Sequence, residues 1–348
     1  VTTPSRRETR SGDSGPGAAT VADSGYTSAR ADHELHIELT AEAEAFGREV
    51  VRALGAAGGD ELVQRAERAP GSRGEMVEPV LGELGVWELA PRHDPVELEA
   101  AAAVCRAAGY WATPYPVADR LARPEEPDHD GLIVVSGPEP AGPVLGTDLR
   151  WATVTMAGER GAATPSGNAQ SARESAFVVP LTILPVEGDG SADLALALTL
   201  PCWTLLGMLD RALELTRAHV RIREQFGRPL AEFQGVQFQL TDAEVERRGV
   251  DLLARYALWS IQSGRPEAID DALALRLAAI EAADIVFRVA HQLHGAAGFC
   301  DETTLSWLSR YSLPLRRLPF GAIGTEQALT GRIGRRGLAG LFSGPTGV

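Results

Sequence analysis

A small set of polar side chains, each beside a helix-breaking residue, is the part of this sequence best suited to holding a ligand. Arg223 precedes Phe226, Gly227 and Pro229 in REQFGRPLAEFQGVQFQ (223–239), where Gln234, Gln237 and Gln239 follow. Gln292 stands three residues before Gly295, and Thr325 and Gln327 lie in IGTEQ (323–327). A guanidinium can give a phosphate two parallel hydrogen bonds. Glycine lets backbone N–H groups come close, and glutamine adds hydrogen bonds without adding charge. Of these types, arginine is the one best suited to a phosphate. Taken singly, each has a plainer reading. Arg223 is then a solvated cation, Gln234 and Gln237 serve orphan N–H groups of a first helical turn, and Thr325 is an N-cap.

Other chemistries find no support. All 33 basic residues are arginine, so Schiff-base, pyridoxal-phosphate and Walker-lysine chemistry are excluded. No GxSxG elbow or GxGxxG fingerprint occurs. His291 and His294 share a helix face but lack an HExxH-type carboxylate, so a helix C-cap is the expectation for His294 and no metal site is expected. Cys105, Cys202 and Cys300 form no CxxC, which argues for reduced thiols. A net charge of −14 disfavours a nucleic-acid partner. With no secretory pattern and no apolar run of about 18 residues, the expectation is a soluble, cytoplasmic protein without a membrane partner.

The elements that must position these residues follow from punctuation and periodicity. Residues 1–33, poor in large apolar side chains, read as a disordered tail. Residues 34–113 read as an N-terminal helical domain, closed by the prolines of YWATPYP. Residues 114–200 read as a reduced β domain with strands in LIVVS (132–136), WATVTM (151–156), AFVVPLTILPV (176–186) and DLALALTL (193–200). Residues 201–348 read as a helical bundle, with long helices over 203–223, 231–260 and 266–294 and shorter ones near 301–312 and 325–341. The fold class is mainly α with a small β insert.

In order and spacing, three segments resemble the acyl-CoA dehydrogenase family. They are RALELTRAHVRIREQFGRPLAEFQGVQFQLTDAEVE (211–246), HQLHGAAGFCDETTLSWLSR (291–310) and GTEQALTGRIGRR (324–336). The family writes them as R-x-x-F-G-x-P with F-Q-x-x-Q, as Q-x-x-G-G-x-G-F and as E-G-T-x-Q. The resemblance is specific over 201–340, fainter over 35–118 and nearly absent between. It implies an N-terminal helical domain, a β middle domain and a C-terminal four-helix bundle, with FAD at a subunit interface. It further implies that Arg223 pairs with the pyrophosphate and that Phe226 and Gln234 line the cofactor, Gln234 ahead of Gln237 or Gln239. Gln292 and Gly295 would meet the cofactor from a partner chain's turn, and Thr325 and Gln327 would contact its adenosine side. The implied partners are an acyl-CoA thioester, a second family chain or a second copy of this one, and an electron-transfer flavoprotein.

The sequence departs from the family where the base belongs. The residue before G-T-x-Q, a glutamate in most members, is Ile323, and at the other position used in the family stand Ala197 or Leu198, with Asp193 the nearest acid. The middle domain lacks the family's T-E-x-x-x-G-S-D run, and Ala296 replaces a glycine. Three readings therefore stand. The first is the base-less subunit of a heteromer of the kind actinobacteria use on steroid-type CoA thioesters. The second is a homomeric flavin-dependent monooxygenase or oxidase of the same fold. The third is a non-catalytic scaffold, or a dehydrogenase whose base is Glu326 or Asp301.

Overall fold

A computed structural model describes residues 37–144, 147–166 and 178–337. The expected disordered tail, 1–33, lies outside the described residues.

The N-terminal helices are α1 (Ala41–Ala56), α2 (Glu61–Arg68), α3 (Arg73–Gly82), α4 (Pro95–Tyr110) and the short α5 (Val117–Leu121). Local chemistry sets their ends. Thr40 caps α1 by accepting from the Ala43 N–H, and Asp94 caps α4 by accepting from Val96 and Glu97 ahead of Pro95 in the first turn. Trp111, just past α4, donates its indole N–H to the Val51 carbonyl at 2.8 Å, which ties α4 to α1.

A five-stranded sheet follows, in the order β1-β3-β4-β5-β2, from β1 (Gly131–Val134), β2 (Ala141–Gly142), β3 (Trp151–Val154), β4 (Glu159–Pro165) and β5 (Val179–Asp189). The β1–β3 pair is parallel; the other pairs are antiparallel.

The stretch expected as a fourth strand, 193–200, is instead the start of α6 (Leu194–Ile222). Every residue from Leu194 to Leu200 is buried, so this end of the helix shows no polar face. A helix apolar all round loses the 3.6-residue signature, and a short apolar run then reads equally well as a strand. By length and composition α6 could cross a membrane, but 72% of its most apolar window is buried inside the protein, as in a core helix.

α6 is the axis of the molecule. It packs against α4 with the two backbones in contact. A Cβ on Gly109 would lie 1.8 Å from the Thr204 carbonyl oxygen, and one on Gly207 would lie 1.9 Å from that of Arg106. α7 (Gln234–Gln262), α8 (Ala268–His294) and α10 (Ala322–Arg336) complete a bundle with α6, and α9 (Thr304–Arg317) connects α8 to α10. Around the α4–α6–α7 junction Arg106 bridges Asp210 and Asp251 at 2.6 and 2.8 Å, and Arg247 joins Asp210 at 3.2 Å. The outward face of α7 carries Phe238, Val245 and Leu252, exposed by 59%, 62% and 55%. Seven-residue spacing puts them on one stripe. The adjacent Leu253 is 38% exposed.

Candidate functional site

α6 ends at Ile222, and the chain turns at once through a tight hairpin formed by β6 (Glu224–Gln225) and β7 (Arg228–Pro229). Its two central residues, Phe226 and Gly227, have φ of 52° and 81°, the conformation a two-residue type I′ loop requires. Gly227 suits it; Phe226 is a bulky residue in the left-handed region, and its side chain is 93% exposed. Arg223 is the C-cap of α6, and its carbonyl accepts from the Leu230 N–H at 2.8 Å, which closes the base of the hairpin. The break anticipated from Gly227 and Pro229 is thus a hairpin that projects Phe226 outward.

The C-terminus of α8 lies beside this hairpin. Together they wall a depression of about 590 Å³, lined by His219, Arg223, Gln239, Gln292, His294 and Gly295 among others. Arg223 is exposed at its rim, and among the described residues no carboxylate pairs with it. Gly295, the α8 C-cap, has φ of 61°, and a Cβ built there meets nothing within 4 Å. The backbone is therefore open to a ligand. The imidazoles of His219 and His294 stack at 4.3 Å, and the His294 Nδ1 is 2.9 Å from the Ala290 carbonyl. Burial first, then mutual repulsion and the nearby Arg223, hold His219 below the ordinary histidine pKa; burial does the same for His294 and for His291, whose ring stacks on Phe299. The rim thus offers one permanent cation, neutral imidazoles, neutral amides and open backbone. That set fits a phosphate-bearing ligand held without excess charge.

Of the residues singled out from sequence, Arg223, Gln292 and Gly295 come together, and one chain supplies all three. Gln234, in the first turn of α7, is exposed and outside the depression, where Gln239 stands instead. The Gln237 amide does not serve an orphan N–H; it donates to the Ala231 carbonyl at 2.9 Å. Thr325 is fully buried, and its hydroxyl donates to the Gly321 carbonyl at 2.9 Å. Gln327 is exposed on α10, and neither residue lines the depression.

The candidate bases also have definite places. Ile323 is 73% exposed in the first turn of α10. Asp301 pairs with Arg310 at 2.6 Å, and Asp193 pairs with Arg92 at 2.5 Å. Glu326 is exposed. Ala197 and Leu198 line a separate cavity between α5, the sheet, α6 and α9, whose wall includes Asp119. Sequence reasoning passed over Asp119, since nothing in VADRL marks it out.

Comparison with known proteins locates the likeness in the bundle. Residues 198–338 match the family model described as acyl-CoA dehydrogenase, C-terminal domain. Acyl-CoA dehydrogenase FadE27 of Mycobacterium tuberculosis is 33% identical over 138 residues, 37% of this chain and 36% of that protein. Probable acyl-CoA dehydrogenase FadE2 of the same organism is 38% identical over 145 residues, 40% of this chain and 35% of that protein. The matched segment thus spans little more than a third of these relatives. In fold the likeness is wider: the crystal structure of the ChsE4-ChsE5 complex from M. tuberculosis superposes with a TM-score of 0.68 at 17% identity, covering 88% of this chain and 100% of that one.

Proposed function

We propose that this chain, whose residues 198–338 match the C-terminal domain of acyl-CoA dehydrogenases, is an FAD-binding subunit that works with a second, homologous chain on an acyl-CoA thioester. The observation that carries this reading is a half-built site. Arg223, Gln292 and Gly295 form an open, cationic cradle, while the position that precedes G-T-x-Q holds an exposed isoleucine. Thr325 and Gln327 lie elsewhere on the chain, as expected if each cofactor is completed across an interface. The apolar stripe Phe238, Val245 and Leu252 on α7 offers such an interface a surface to cover. Likeness in fold to a chain of a two-component complex supports the same arrangement.

In this reading Arg223 holds the pyrophosphate with a planar, permanently charged fork. Gln292 and Gln239 add neutral hydrogen bonds, and the backbone at Gly295 admits the phosphate closely. FAD, when bound, supplies the hydride acceptor for α,β-dehydrogenation. Ile323 can accept no proton, so the partner chain is the expected source of a base.

The test is spectroscopic. The chain purified alone and the chain co-purified with a co-expressed homologue are compared for the visible flavin absorbance. Flavin retained only by the pair supports the reading, and flavin reduction by an acyl-CoA in the isolated chain refutes it. Arg223→Ala should lower flavin retention at least tenfold while far-UV circular dichroism stays unchanged. Unaltered retention would remove Arg223 from the site.

A further inference from the structure

The cavity beside Ala197 and Leu198 has a volume of about 80 Å³, and its walls are largely apolar, with Ile133, Val134, Pro201 and Met208 among them. Set into these walls are polar groups that the protein satisfies only in part; the Asp119 carboxylate accepts a backbone hydrogen bond from its own residue. Asp119, half-buried on α5, has no cation opposite it among the described residues, and burial pushes its carboxyl up to about 7. The Thr113 hydroxyl is buried and makes no hydrogen bond among the described residues. Arg276 is buried as well. Its terminal nitrogens donate to the carbonyls of Leu315, Leu318 and Phe320 at and just beyond the end of α9, but its Nε has no partner among the described residues. Buried polar atoms normally find partners, and leaving one unpaired is costly. An apolar cavity with a few such groups converging on it has the make-up of a ligand pocket.

We propose that this cavity binds a short acyl chain carrying a hydroxyl group, which Asp119 and Thr113 recognise. A hydroxyl can donate to the Asp119 carboxylate while it accepts from Thr113, so one group satisfies both. An unsubstituted hydrocarbon would leave the Thr113 hydroxyl unpaired and Asp119 with its backbone contact alone, and sites of that kind discriminate strongly against the analogue lacking the polar atom. At roughly 10–15 Å³ per water-sized group, the volume admits on the order of five to eight small groups, which limits the chain to a short one. The inference rests on the acyl-thioester reading for the ligand's head group alone.

Isothermal titration of the purified full-length chain with 3-hydroxybutyryl-CoA, butyryl-CoA and free CoA tests it. The hydroxylated thioester should bind about 10- to 100-fold more tightly than butyryl-CoA, the range expected of a hydrogen bond to a charged partner. Donation to Asp119 favours its ionised form, so the preference should grow as pH rises through about 7. Binding should release a proton, read from the heat measured in buffers of different ionisation enthalpy. Asp119→Asn should abolish the proton release and the pH dependence, and Thr113→Val should lower the preference while butyryl-CoA still binds. Equal binding of the two thioesters, or a preference that survives both variants, overturns the hydroxyl assignment and leaves the thioester reading standing. Failure of both thioesters to bind the isolated chain overturns this inference and leaves the paired-chain reading standing.

Discussion

Phe226 combines three properties that seldom coincide: a bulky side chain, a φ of 52° and 93% exposure. A left-handed conformation costs an L-residue about 1–2 kcal/mol, and asparagine and aspartate tolerate it better than bulky side chains do. Phe226→Asn places Asn-Gly at the centre of a type I′ hairpin, the preferred pair for that turn. The loss on the other side is small. Phe226 buries almost nothing, and its edge-to-face contact with Phe233, at 6.3 Å between centroids, is worth no more than about 0.5 kcal/mol at so exposed a site. The net expectation is a gain of about 0.5–1 kcal/mol, read as a higher urea midpoint at unchanged slope. Flavin retention by the assembled protein should fall in the same variant, because the aromatic face has gone. Stability and function moving in opposite directions would identify Phe226 as a residue held for contact with a ligand or partner. A variant less stable than the parent would refute the reasoning, since the turn would then depend on the phenyl ring.

Gly207→Ala should destabilise the chain by about 3 kcal/mol or more despite alanine's better helix propensity, because the new methyl lies 1.9 Å from the Arg106 carbonyl oxygen and α4 and α6 must part. The same change at Gly249, where a Cβ meets nothing within 4 Å on the exposed side of α7, should stabilise by about 0.5–1 kcal/mol in the same denaturation assay. His219, His291 and His294 all have folded pKa values below the ordinary 6.5, so the unfolded chain binds more protons near pH 6. Their contribution to stability is therefore present above about pH 6.5 and lost as pH falls below it. The loss between pH 7.5 and 5.5 should shrink in His219→Phe, and an identical loss in the variant would show that this imidazole is not the source.

The legibility of this protein in its sequence follows the contrast between its surfaces. α7 and α8 have one wet face and ends marked by Gly, Pro or a polar cap, so their positions could be read to within a few residues. The first turns of α6 have no wet face, and LALALTL looked like a strand for that reason. Arg223, Gln292 and Gly295 were legible because each sits at a helix terminus, where sequence signals are strongest. Gln239 was less so, since only the orientation of α7 decides which of three glutamines faces the depression. Asp119 was invisible, because a buried carboxyl on a five-residue helix has no partner spacing to give it away. Its character comes wholly from the apolar walls that the fold brings around it.

The 29-residue α6 also acts as a ruler. The cavity borders it from Ala197 to Met208 and the depression from His219 to Arg223, with midpoints some 19 residues apart, or about 28 Å at 1.5 Å per residue. Sites that far apart, sharing no side chain, should respond to substitution independently. In the isolated chain the effects of Arg223→Ala and Asp119→Asn on stability should simply add. Any coupling between them that appears only after assembly, or only with ligand present, must then be carried by something that spans the gap. A double-mutant cycle read in both states would thus report whether the two ends of α6 take part in one site or in two.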